Sequence, residues 1–137
     1  HYLLKQTRDG GISKFMSNAQ NSYTRYCNTR HERTGPLVED QFKAVRIESD
    51  DQLLHLSRYI HLNPFTTFVV KRKKDLLGYE WSSFPEYIRN QGGYCDKKII
   101  MENFKEKNTY EKFVFDQADY QRKLKRIMHL TLDEIEG

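Results

Sequence analysis

Pro64 sets the tightest limit on what this chain can fold into. It closes the octapeptide Ser57-Arg58-Tyr59-Ile60-His61-Leu62-Asn63-Pro64, and Leu53, Leu56 and Ile60 recur before it at helical spacing. A prolyl ring disfavours helical geometry at the residue before it, so the helix is expected to stop near Asn63. Ser49 or Asp50 can cap its start. Leu53, Leu56 and Ile60 then form its core stripe, with His55, Tyr59 and Asn63 together on one flank. A phenol one turn before a carboxamide can be a packed structural pair. It can also be a nucleophile beside a metal ligand.

The flanking segments predict an α+β fold. Tyr2 to Gln6 reads as a strand already under way, so the chain is expected to be a fragment, a processed product or a truncated piece, or His1 a tag remnant. Thr7 to Gly11 is a turn. Ile12, Phe15, Met16, Ala19, Tyr23, Tyr26 and Cys27 recur at three- and four-residue intervals, which predicts an amphipathic helix of roughly five turns. On that stripe Tyr23 and Tyr26 are expected in the core, although both could stack on bases. Lys14, Asn18, Asn21, Arg25 and Asn28 lie on the other face, which suits solvent or a phosphate backbone. Phe42 to Ile47 is rich in β-formers and reads as a second strand. Trp81 to Phe84 opens a short helix or turn through Ile88. Gln91-Gly92-Gly93 marks a boundary between residues 1–90 and a helical extension, 91–137. In that extension Asp96 to Glu106 reads as a helix with Ile99, Ile100 and Phe104 inside. Thr109 is expected to cap another, with Phe113, Tyr120, Leu124 and Ile127 on one stripe, and Thr131 to Glu134 resembles a further helix start.

Composition narrows the class. Eight Phe, nine Tyr and one Trp are enough for a compact core and argue against wholesale disorder. The net charge of +4 arises within residues 1–90, where fourteen Lys and Arg face ten Asp and Glu. A modest basic excess is compatible with a polyanionic partner and equally with a slightly basic surface. Lys71-Arg72-Lys73-Lys74 is a basic run whose plainest reading is a solvated loop. Cys27 and Cys95 form no CxxC pair, so a reduced, cytoplasmic setting fits. Cys27 and His31 have i,i+4 spacing, but Cys27 on an apolar face is more simply core. No run is apolar enough for a membrane span, and no membrane partner is expected.

Taken together, several segments resemble the tyrosine transposases of single-strand insertion sequences, especially the REP-associated branch of the HUH superfamily. They are Gly10-Gly11-Ile12-Ser13-Lys14-Phe15-Met16, Ser22-Tyr23-Thr24-Arg25-Tyr26, Arg33-Thr34-Gly35-Pro36-Leu37, Phe42-Lys43-Ala44-Val45, the octapeptide ending at Pro64, and Trp81-Ser82-Ser83-Phe84. The resemblance implies a partial ferredoxin-like layer with a C-terminal helical extension. It implies cleavage and rejoining of single-stranded or hairpin DNA through a 5′-phosphotyrosine, with Tyr59 as nucleophile. It also implies a divalent metal, Mg²⁺ or Mn²⁺, held by Asn63 and by His1, which matches the second histidine of a His-hydrophobic-His pair. A metal ion would polarise the phosphate for a weak phenol nucleophile. Arg25, Lys43, Arg58, Lys71, Arg72, Lys73 and Lys74 are the residues expected to contact nucleic acid.

The chain departs from the family where Val38-Glu39-Asp40-Gln41 replaces an aromatic, a glutamine, a glycine and an arginine. That exchange adds two carboxylates and removes a cation, which weakens backbone binding. A non-catalytic remnant that binds a single strand or hairpin is therefore the alternative to a transposase, and an unselected reading frame that still folds is a third. An incomplete sheet would expose an edge, which a homodimer could cover.

Overall fold

The computed structural model describes residues 1–89 and 92–124. It is helical, and no strand occurs among the described residues. This corrects the α+β, ferredoxin-like expectation. Tyr2 to Gln6 and Phe42 to Ile47 carry β-forming side chains, but Tyr2 and Val45 are exposed and neither segment joins a ladder. β-Propensity reports how well a side chain fits a half-buried pleated surface; with no partner strand it has nothing to act through. The sheet edge that motivated a homodimer is absent from the described residues. None of their helices is long and apolar enough to cross a membrane.

Two compact units divide the chain, His1–Arg46 and Ile47–Gly137. The first is built on α1, Gly11–Arg30. Gly10 takes a left-handed conformation (φ 66°) ahead of it, and the Ile12 amide donates to Gln6 Oε1 over 3.4 Å. At the other end Glu32 is left-handed (φ 50°), and the Arg33 amide donates back to the Asn28 carbonyl over 2.9 Å. That six-to-one bond is a Schellman ending, formed here without the usual glycine. Tyr2 packs edge-on against Phe15 with ring centroids 5.8 Å apart. No α1 residue is fully buried.

The second unit holds the core. Its first helix, α2, spans Asp50–Thr66. Ser49 caps it, accepting from the Gln52 amide over 3.2 Å, while Gln52 Oε1 accepts from the Glu48 amide. Asp50 and Asp51 complement the dipole in the first turn. The helix does not stop at Asn63 but runs through Pro64 to Thr66. An internal proline costs about 3 kcal/mol. Beyond it Phe65 and Thr66 are buried, and burying a Phe side chain offsets about 1.5–3 kcal/mol. The Thr67 amide also resumes the ladder by donating to the Asn63 carbonyl at 2.9 Å. The buried face of α2 is Ser57, Arg58, His61, Leu62, Phe65 and Thr66, rather than Leu53, Leu56 and Ile60, which are half-buried.

A 3₁₀ turn, Lys73–Gly78, and α3, Phe84–Ile88, follow, and each packs on the other. The helix expected from Asp96 to Glu106 is one turn, α4, Lys98–Met101, with Ile100 buried and Ile99 exposed. Then α5, Lys107–Phe115, lies against α2 and α3, and residues 118–124 are again helical. Thr109 is inside α5 rather than at its cap. The inward stripe is Tyr110, Val114 and Ala118, four residues apart, while Tyr120 and Leu124 are exposed. Ile127 and Thr131 to Glu134 lie outside the described residues. Leu62, Leu76, Phe84, Ile100, Tyr110 and Val114, one or more from each of these elements, are sealed from solvent and form a single core.

Candidate nucleic-acid interface

Between Asp9 and Glu32 the chain carries no carboxylate side chain, and α1 holds Lys14, Arg25 and Arg30. Two adjoining concavities open on its C-terminal half. One, of about 540 Å³, is lined by Asn21, Thr24, Arg25, Asn28, Thr29 and Arg33. The other, of about 760 Å³, takes in Asn18, Ser22, Tyr26 and Arg30, and Arg25 borders both. The Schellman ending folds Arg33 back over the last turns of the helix. Asn28 holds the loop beyond it, donating from Nδ2 to the Gly35 carbonyl over 2.8 Å. Asn28 Oδ1 is buried and accepts no hydrogen bond from the described residues. The polar groups of the lining are guanidinium, amide and hydroxyl, the second concavity is largely apolar, and no acidic residue lines either one.

Tyr23 and Tyr26, expected in the core, are 63% and 55% exposed. Their stripe has too little apolar partner surface in the first unit to bury it. The Arg30 guanidinium donates to the Tyr26 hydroxyl and lies 5.8 Å from its ring centre. A hydrogen bond to the Cys27 side chain, then its charge, holds the Tyr23 phenol above the usual tyrosine range. His1 belongs to this first unit and is exposed. Lys43 is exposed as well.

On α2, Tyr59 and Asn63 stand one turn apart and are both half-buried. The Asn63 carbonyl accepts from the Thr67 amide and from the Thr66 and Thr67 hydroxyls. Arg58 points the other way. It is 6% exposed, its guanidinium lies 4.4 Å from the Phe113 ring centre, and it donates to the Phe113 carbonyl. Its Nη2 is 2.7 Å from His55 Nδ1, and Nε is buried without a partner among the described residues. Arg58 thus sits inside the second unit, not on a surface a strand can follow.

His61 is also buried. Its Nδ1 is 2.7 Å from the Tyr110 hydroxyl and its Nε2 is 2.9 Å from Ser83 Oγ; Tyr110 also meets Ser57 Oγ at 2.5 Å. The rings of Phe84, Tyr87 and Tyr110 surround the imidazole. Burial lowers its pKa to about 4. A serine, a histidine and a tyrosine in hydrogen-bonded series could suggest a nucleophile and its base. A base that takes a proton only near pH 4 is poorly matched to that task, so the group ties α2, α3 and α5 together.

The basic run divides by residue. Arg72 is bidentate to Asp75, at 3.0 and 2.7 Å, and Lys73 pairs with Asp119 at 3.0 Å. Lys71 and Lys74 are exposed and form no salt bridge among the described residues. No family model, curated protein or solved structure matches the chain.

Sequence reasoning placed Arg25 on one polar face with Asn18, Asn21 and Asn28 but missed Thr29 and Arg33 as its neighbours. The signal was available: twenty-two consecutive residues, 10–31, without an acid. Of the two expected metal ligands, His1 belongs to the first unit and Asn63 to the second. No group of three or more His, Cys, Asp or Glu that could hold a metal ion occurs among the described residues.

Proposed function

We propose that this protein binds single-stranded or hairpin nucleic acid, with the C-terminal half of α1 and the turn after it against the phosphate backbone. The observation that carries this reading is the acid-free run of residues 10–31, with Arg25 bordering two concavities that no acidic residue lines. A helix C-terminus attracts cations through its dipole, which accounts for Arg30 and Arg33. The dipole fades within the last turn, so it accounts less well for Arg25. A cytoplasmic setting suits such a partner and the two free cysteines.

Fluorescence anisotropy of a labelled hairpin with a single-stranded flank tests it. Arg25→Ala and Arg33→Ala should each weaken binding similarly for unrelated sequences. Each should also lower the slope of log affinity against log salt by about 0.7 for a single strand. No binding at about 50 mM salt, or unchanged slopes in both variants, would refute the reading.

A second reading, cleavage of the bound strand, is favoured by Tyr59 and Asn63 standing one turn apart on α2 and by the resemblance of the octapeptide around them. Tyr59 Oη would attack a backbone phosphorus. The Oη–P bond forms, the P–O3′ bond breaks, and the 3′-oxygen leaves with a proton as a free hydroxyl. Asn63 would orient the phosphate. Wild type incubated with labelled strand, with and without Mn²⁺, should give an adduct that survives denaturing electrophoresis and disappears in Tyr59→Phe. Binding without any adduct removes this reading and leaves the first intact.

A further inference from the structure

Just past α2 the backbone does something costly. Phe68 is left-handed, with φ 62°, a conformation that disfavours any residue with a β-carbon. The turn is fixed from both sides: the Thr67 amide donates to the Asn63 carbonyl, Phe68 to Phe65, and Val70 to Pro64 over 2.8 Å. Phe68 is nevertheless 47% exposed, and Val69 beside it 64%. A non-glycine residue held left-handed with its ring facing solvent is a pointer to function.

Arg122 supports this turn. Its guanidinium carbon lies 4.1 Å from the ring centre of Phe65 and 4.6 Å from that of Phe68. Its Nη1 donates to the Lys71 carbonyl over 2.7 Å. One guanidinium therefore holds the Phe68 ring and the Lys71 backbone together. Asp119, from the same helical segment, fixes Lys73, and Asp75 fixes Arg72. Two further cations, Lys71 and Lys74, are exposed and form no salt bridge among the described residues, and they follow in sequence an aromatic ring that Arg122 orients.

We infer that the turn Phe68–Lys74 is a second nucleic-acid contact, in which an unpaired base stacks on Phe68 while Lys71 and Lys74 take the flanking phosphates. This rests on the reading of α1 as a nucleic-acid surface and extends it to the second unit. Stacking on a pre-oriented ring, with cations along the backbone path, is how single strands are held without sequence preference. The cationic flank demands an anionic partner. An anionic lipid surface would meet that demand too, but interfacial binding draws on a broad apolar face, and the exposed apolar residues of this turn are Phe68 and Val69.

The test uses the full chain and an oligothymidine containing 5-iodo-2′-deoxyuridine, which crosslinks under ultraviolet light to an aromatic ring stacked on it. A crosslink mapped to Phe68 by mass spectrometry is the expected result. Phe68→Leu keeps an apolar side chain over Arg122 but removes the π-face, and should weaken oligonucleotide binding by about ten-fold. It should have no effect on an abasic strand of equal length. Lys71→Gln with Lys74→Gln, both exposed, should lower the salt slope of wild type.

If wild type binds the oligonucleotide but crosslinks map only to α1 and Phe68→Leu binds normally, this inference fails and the α1 reading stands. If wild type binds no oligonucleotide, both fail. Co-sedimentation with phosphatidylserine vesicles that depends on Phe68, while oligonucleotide binding does not, would overturn it in favour of a lipid surface.

Discussion

His61 should make the second unit acid-sensitive, and the size of the effect follows from its surroundings. The imidazole is 3% exposed, and three aromatic rings surround it. Both ring nitrogens are hydrogen-bonded, to Tyr110 and Ser83. Those hydroxyls can reorient to accept from an imidazolium, so the obstacle to protonation is desolvation. It lowers the pKa from 6.5 to about 4 in the folded protein. The unfolded chain therefore binds the proton first. Stability is full above about pH 6.5 and falls as pH drops through the window down to about 4. At about 1.4 kcal/mol per pH unit, the loss is about 3 kcal/mol. Urea denaturation followed by circular dichroism at several pH values across that window measures it. Carboxylates also titrate near its lower end, so the comparison is with His61→Phe, which keeps the ring packing and cannot be protonated. The variant should start less stable at pH 7, because Ser83 and Tyr110 each lose a hydrogen bond, and should lose about 3 kcal/mol less on acidification. Parallel stability curves for the two proteins would refute the reasoning. So would an imidazole resonance of His61 titrating near 6.5 in the folded state.

Two smaller predictions rest on backbone and burial. Glu32 ends α1 in a left-handed conformation that glycine adopts freely, so Glu32→Gly should stabilise that helix end by about 1 kcal/mol. Thermal melts at 222 nm should show it, and unchanged or reduced helicity would count against the Schellman assignment. Arg58 is a buried cation with no salt-bridge partner among the described residues. Arg58→Met, of similar reach and apolar, should therefore cost less than about 1 kcal/mol or be stabilising. It should also leave nucleic-acid affinity and salt slope unaltered; a fall in slope like that of Arg25→Ala would restore Arg58 to the interface.

The sequence carried its information unevenly, and the reasons are physical. The extent of α1 and the Ser49 cap of α2 were legible because they depend on local spacing and on one side chain reaching one amide. The strands at Tyr2 to Gln6 and Phe42 to Ile47 were misread because a strand is a property of a pair, and propensity alone cannot supply the partner. Pro64 shows the opposite failure. The local rule was sound, yet burial of Phe65 and Thr66 on its far side carried the helix one turn further. Arg58 and His61 were hidden for a related cause. Polar residues on a helix read as surface until other elements supply Phe113, Tyr110 and Ser83 to cover and bond them. The candidate interface inverts this pattern. Tyr23 and Tyr26 look like core by their spacing, and only the shortage of apolar partners in the first unit turns them outward beside Arg25 and Arg30. The same octapeptide that ends at Pro64 thus holds two kinds of residue. Arg58 and His61 face inward and secure α2, while Tyr59 and Asn63 stand together on a half-buried flank. Replacing the first pair tests the fold and replacing the second tests the chemistry, so the two roles can be separated within eight residues.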